Sequence, residues 1–124
     1  MSFIGELNYE RVPNKKSFFG RPVYRLTRPF GYKSVKTIMC EEGFETDFAS
    51  IPWWIFFLRP KNGKWKKASV IHDKACIMAS KYELTYIEAD NIFYYAMLDD
   101  EASRFTASFI YFWVRLNHLV VGKG

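Results

Sequence analysis

Gly43-Phe44-Glu45-Thr46-Asp47-Phe48-Ala49-Ser50-Ile51-Pro52, residues 43–52, is the stretch across which the chain changes its hydrophobic period. Upstream, from Phe3 to about Phe48, β-branched and aromatic residues are punctuated by Pro13, Gly20, Pro22, Pro29, Gly31 and Gly43. Val23-Tyr24-Arg25-Leu26 and Val35-Lys36-Thr37-Ile38-Met39 alternate as half-buried strands do, and Gly43 to Phe48 reads as a last turn and short strand. Downstream the punctuation thins and the period lengthens to between three and four, the signature of helices. One helix is predicted from about Trp65 to Lys81. A second opens at Thr85, where Glu88 three residues on completes a capping box, and a third runs from near Asp100 or Glu101 to about Leu119. Strands followed by helices predict an α+β fold: a small N-terminal antiparallel β-sheet, over about residues 1–50, packed against about three C-terminal helices, over about residues 65–120.

A chain of 124 residues fits one domain, 1–124, and buries roughly two-thirds of its unfolded surface without staples. With 49% hydrophobic and 19% aromatic residues it can fill a core and leave rings over, which excludes a disordered chain. The net charge of +5 is carried partly by Lys15-Lys16 and by Lys61, Lys64, Lys66 and Lys67. These lie among Gly, Asn and Pro, as solvated loops do, and give no support to a nucleic-acid partner. Cys40 and Cys76 lack the paired spacing of zinc or redox motifs and read as buried thiols. Met1-Ser2-Phe3-Ile4-Gly5-Glu6 has no basic region leading into a long apolar run, so no signal peptide is expected and synthesis is assigned to the host cytoplasm. The apolar runs Trp53 to Leu58 and Phe105 to Val121 are respectively too short to span a bilayer and interrupted by Arg115, Asn117 and His118, so no transmembrane segment is expected.

The residues with chemistry concentrate on the predicted helices. His72 shares a face with Trp65, Ala68, Ser69, Ala75, Cys76 and Ala79, three, four or seven residues away, so it points inward. Asp73 is turned about 100° from it, to the border of that face. Asp90 borders the stripe Ala89, Ile92, Phe93, Ala96 and Met97. Charged groups beside apolar faces need partners, and Asp47 is the remaining acid available to the group. His72, Asp73, Asp47 and Asp90 are therefore the candidate catalytic residues, and Asp47, His72 and Asp90 the candidate ligands of a divalent cation. The same four residues also satisfy a second reading, a hydrogen-bonded network that locks helices to sheet with no substrate. Ser50 lacks a glycine-flanked elbow and is a poor nucleophile candidate; His118, near a helix end, is read as a partner of the helix dipole.

At these residues the sequence resembles a family of short phage and prophage proteins described as a domain of unknown function. The resemblance rests on Gly43 through Pro52, on Pro60 and Gly63, on Ala68 through His72-Asp73, and on Ala89-Asp90-Asn91-Ile92-Phe93-Tyr94-Tyr95-Ala96-Met97. Its polar positions are Thr46, Asp47, Ser50, His72, Asp73 and Asp90. The chain departs from the pattern at Cys76, where the family commonly has Tyr, and at Trp53-Trp54, where a basic residue is common.

Two functions follow as expectations. One is a virion-associated or assembly component of tail or neck, acting through contacts with other phage proteins or with its own copies, and located in the virion after assembly. The rings of Trp53, Trp54, Phe56 and Phe57 would be its binding surface. The other is a small His/Asp-dependent hydrolase, metal-assisted by a divalent cation, acting on cell wall or lipid as the phage penetrates or lyses its host.

Overall fold

The computed structural model describes residues 1–16, 20, 22–47, 66–100 and 102–122. Six strands precede three helices: β1 (Ser2–Ile4), β2 (Tyr9–Lys16), β3 (Pro22–Leu26), β4 (Phe30–Lys33), β5 (Thr37–Cys40), β6 (Glu45–Thr46), α1 (Lys66–Ser80), α2 (Tyr86–Asp99) and α3 (Arg104–Val120). The fold is α+β, as the change of period implies. The strands form two antiparallel three-stranded sheets, ordered β1-β4-β5 and β2-β3-β6, where one sheet was expected. Gly43 and Phe44 turn the chain between them: Gly43 N–H donates to Leu26 O at 2.8 Å and Leu26 N–H to Phe44 O at 2.9 Å, which seats β6 on β3.

Local chemistry explains where the strand boundaries fall. The alternation beginning at Val35 predicts a strand there, but Ser34 Oγ donates to Lys36 O at 2.7 Å and closes a turn, leaving Val35 90% exposed and starting β5 at Thr37. In the β4–β5 hairpin Gly31 sits opposite Met39, and a β-carbon there would lie 2.2 Å from Met39 Sδ and 2.7 Å from Ile38 O. Only glycine admits that approach. The pleat then sends Phe30 and Tyr32 of β4, and Ile38 and Cys40 of β5, to one fully buried face.

That face receives the helices. α1 packs on β5 and on α2, and α2 packs on α3. Val70, Ile71 and Ala75 of α1 meet Ile92, Phe93, Ala96 and Met97 of α2 in one core with the strand residues. Each large side chain so buried is worth roughly 1.5–3 kcal/mol in transfer free energy. Tyr32 satisfies its phenol by donating to Asp99 Oδ2 at 2.6 Å; burial and that carboxylate raise its pKa well above the usual range.

The helix ends follow the capping rules. Thr85 Oγ1 accepts from Glu88 N–H at 3.0 Å while Glu88 Oε1 accepts from Thr85 N–H at 3.0 Å, the box the sequence indicates. α3 starts later than expected, because Asp100 closes α2, its N–H reaching Ala96 O at 2.9 Å. Ser103 caps α3 instead, its Oγ accepting from Thr106 N–H at 3.1 Å. No helix among the described residues is long and apolar enough to cross a membrane. Ser50, Trp53, Trp54, Phe56 and Phe57 lie outside the described residues.

Candidate functional site

Four elements bring polar side chains to one place. α1 supplies His72, Asp73 and Cys76; His72 and Cys76, four apart, stand one above the other on the same face. α2 supplies Asp90, α3 supplies Arg115 and His118, and β6 supplies Thr46.

Asp90 is the centre. It is fully buried, and both carboxylate oxygens are engaged: Oδ1 accepts from His72 Nε2 at 2.7 Å, and Oδ2 accepts from Arg115 Nη1 at 2.8 Å and from His118 Nδ1 at 2.7 Å. Burial alone would raise its pKa, but the hydrogen bonds from the two imidazoles and the guanidinium outweigh it and hold the carboxylate ionised. The ring of His72, 3% exposed, stacks on Phe93 with centroids 4.3 Å apart and planes 12° from parallel, which fixes its orientation.

Cys76 extends the cluster. Its Sγ lies 3.4 Å from His72 Nε2 and 3.9 Å from His118 Nε2, and the ligand atoms of His72, Cys76, Asp90 and His118 all lie within 4.8 Å of one another. Burial would push the thiol up, but the facing imidazoles lower it. Burial would likewise push His72 down, and Cys76 and Asp90 outweigh it; His118 is raised chiefly by its hydrogen bond with Cys76 and by Asp90. The groups thus shift one another's protonation equilibria, and His118 bridges carboxylate and thiol with its two ring nitrogens.

The cluster meets a cleft of about 570 Å³. Lys15, Lys16, Thr46, Asp47, Asp73 and Cys76 contribute to its wall. Thr46, 5% exposed, donates its hydroxyl to Asp73 Oδ2. His72 and Asp90 stand behind this wall, and Cys76 and Asp73 form part of it.

The candidates named from the sequence therefore separate. His72 and Asp90 are joined directly, and Asp73 sits one step along α1 at the cleft. Asp47 also lines the cleft but is outside the group of convergent ligand atoms, so Asp47, His72 and Asp90 do not form the ligand set expected of them. Asp90's acidic charge is met by Arg115 and His118 on α3 instead. Cys76 is only partly buried and faces the cleft, whereas Cys40 is fully buried, its thiol pushed up by burial to about 12. Three members were missed: Cys76, Arg115 and His118. The signal for Cys76 is its i+4 spacing from His72; for the other two it is a pair of basic groups, three apart, interrupting an otherwise apolar helix.

Fold and site together define a small α+β domain with a buried histidine–aspartate pair that reaches a cleft through a cysteine and a second aspartate. The chain belongs to the protein family of unknown function DUF1353, whose profile matches residues 24–114. That span includes Thr46, His72, Asp73, Cys76 and Asp90, and ends one residue before Arg115. No curated protein and no solved structure matches the chain.

Proposed function

We propose that this protein is a small hydrolase that works at the cleft end of its His72–Cys76–Asp90–His118 cluster. The observation that carries the reading is that the cluster is sealed on one side and open on the other: Asp90 is fully buried, while Cys76 and Asp73 line the cleft. A network serving only to lock helices needs no such opening, and a reactive group needs one. Asp90, fixed by Arg115, orients the imidazoles. Asp73, steadied by Thr46, is the carboxylate placed to exchange protons with a bound substrate or water. On the same wall Lys15 is paired with Glu45 at 2.6 Å, and Lys16, beside Asp47 and Asp73, offers a cation to an anionic group of the substrate, such as those of cell-wall peptides and phospholipids. The resemblance to phage proteins gives that substrate class its setting, the penetration or lysis of a host.

The purified full chain, incubated with muropeptides, with phospholipid vesicles and with chromogenic carboxylic and phosphate esters, is expected to hydrolyse at least one class. Asp73→Asn should abolish that turnover while leaving the circular dichroism spectrum unchanged. A folded protein inert on every class, or turnover indifferent to Asp73, refutes the proposal.

A second reading, a phage assembly component acting through protein contacts, is favoured by one feature of α3. Phe105, Phe109, Phe112, Leu116 and Leu119 are 79%, 45%, 69%, 47% and 59% exposed and recur at intervals of four and three, the spacing of a helix-pairing seam. Sedimentation of the full chain beside a Phe105→Ser/Phe112→Ser variant tests it. A wild type that stays monomeric at all concentrations, and fails to bind phage particles, removes it.

A further inference from the structure

His72-Asp73-Lys74-Ala75-Cys76 places two soft or borderline donors four apart on one helix, with an acid immediately after the first. This is the spacing by which a helix presents two ligands to a metal ion and a general base beside it. The third donor, His118, comes from α3. We propose that His72, Cys76 and His118, completed by Asp90 Oδ1, hold a transition-metal ion of the zinc class at the inner end of the cleft that Cys76 and Asp73 line.

Geometry supports this set. With zinc bonds of about 2.3 Å to sulfur and about 2.0–2.1 Å to nitrogen, tetrahedral coordination sets sulfur and nitrogen roughly 3.5 Å apart. Cys76 Sγ is 3.4 Å from His72 Nε2 and 3.9 Å from His118 Nε2. Hydrogen bonding accounts for the first approach poorly, because the Nε2 of His72 carries at most one hydrogen and that one is directed to Asp90 Oδ1 at 2.7 Å, whereas the second also suits a thiol donating to a ring nitrogen. An ion seated among the donors takes the place of the His72 proton.

Asp90 faces the two histidines differently. Its Oδ2 accepts from Arg115 and from His118 Nδ1, on the far nitrogen of that ligand, where a carboxylate sets the tautomer and aim of the ring. Its Oδ1 lies 2.7 Å from His72 Nε2, the same nitrogen that would ligate, and so stands on the ion's side as the fourth donor. Thiolate and imidazole select zinc or cobalt(II) over magnesium and calcium, which require an oxygen cage. The alternative set of Asp47, His72 and Asp90 would suit the harder ions, but its members do not converge.

The chemistry this site would perform rests on the hydrolase reading; its occupancy does not. For hydrolysis water must take a fifth position or displace Asp90 Oδ1, and the ion then makes that water a nucleophile near neutral pH. The water's proton passes to the Asp73 carboxylate, its oxygen adds to the scissile carbonyl or phosphoryl centre, the bond to the leaving group breaks, and Asp73 returns the proton to that group.

The test is a titration of chelator-treated full-length protein with cobalt(II) alone. Equimolar cobalt is expected to give the visible bands of a tetrahedral ion and a thiolate-to-metal charge-transfer band in the near ultraviolet. Zinc should displace it and magnesium or calcium should not. Cys76→Ser should remove the charge-transfer band and Cys40→Ser should keep it. On the wild type, as a measurement that needs no variant to fold, zinc should protect Cys76 from iodoacetamide, read by mass spectrometry. A folded protein that shows no charge-transfer band, a band that follows Cys40, or alkylation of Cys76 unaffected by zinc overturns the site. Cobalt bound as described with every substrate untouched upholds the site and sinks the hydrolase; hydrolysis that survives chelation and is stopped by alkylation of Cys76 overturns the metal and makes the thiol the nucleophile.

Discussion

Asp90 and Asp73 sit on the packed pair α2 and α1, carry the same functional group, and are a short distance along one cluster, yet their surroundings are opposite. Asp90 is fully buried and surrounded by two imidazoles and a guanidinium at 2.7–2.8 Å. Asp73 lines a cleft and accepts the hydroxyl of Thr46. In the interior a carboxylate is tolerable only when its hydrogen bonds and opposite charges offset the loss of water. At the cleft water remains available. The difference sets Asp90 in the architecture of the cluster and Asp73 at the cleft, where the proposed chemistry would use it.

Substitutions break that comparison in a graded way. Asp90→Ala should cost the most, about 3–5 kcal/mol by urea unfolding, because Arg115, His72 and His118 would lose their shared buried carboxylate. A loss under about 1 kcal/mol would mean that water enters the cluster freely and that Asp90 is not the interior member of the pair. Tyr32→Phe probes an intermediate case. Its hydroxyl donates to Asp99 at the exposed end of α2, so losing it should cost about 1 kcal/mol, since the freed carboxylate can turn to solvent. Asp73→Asn should change stability by less than that, within about 0.5 kcal/mol, because an amide oxygen can accept the Thr46 hydroxyl equally well. If Asp73→Asn destabilises as much as Asp90→Ala, the two acids are one structural network and the division of labour fails.

The smallest effect falls outside the cluster, at the N-terminus of α2, and depends on pH. The bond from Thr85 N–H holds the Glu88 carboxyl below its usual value. A depressed folded pKa contributes stability above the unfolded value near 4.5, and that contribution is lost as pH falls through the folded value. Glu88→Gln keeps the box and removes the titration. Amide exchange in the first turn of α2 should accelerate on acidification in the wild type and stay level in Glu88→Gln. Equal acid sensitivity in both would mean that the carboxyl does not cap the helix.

Much of the fold was legible because it rests on local rules. The change of period after Pro52 separates strands from helices, and Thr85 with Glu88 announces a helix start whatever packs around it. The division of the strands into two sheets was not legible, because it depends on Gly43 and Phe44 pairing back to Leu26, a contact between segments far apart in sequence. In the site, His72 and Asp90 were legible as charged groups beside apolar faces. Asp47, which lines the cleft, was named as their partner for a related reason: burial says that a partner must exist but not which one. The answer came from α3, whose orientation places Arg115 and His118 over Asp90. Cys76 was legible in spacing and overlooked in chemistry, since a lone cysteine reads as an apolar side chain until a histidine is placed against it.

The attachment of α3 bears on timing as well as shape. Only Ala107, Ile110 and Val114 of that helix are buried, so its hold on the rest of the molecule relies heavily on Arg115 and His118 meeting Asp90. Elements with few buried apolar contacts open at lower free energy than the core around them. Each excursion of α3 away from α2 would dissolve the cluster while leaving the sheets and α1 intact, so the lifetime of the assembled site is set by one helix. Backbone amides of α3 should accordingly exchange with solvent ahead of those of α1 and α2, and any ligand that bridges α1 to His118 should slow them selectively.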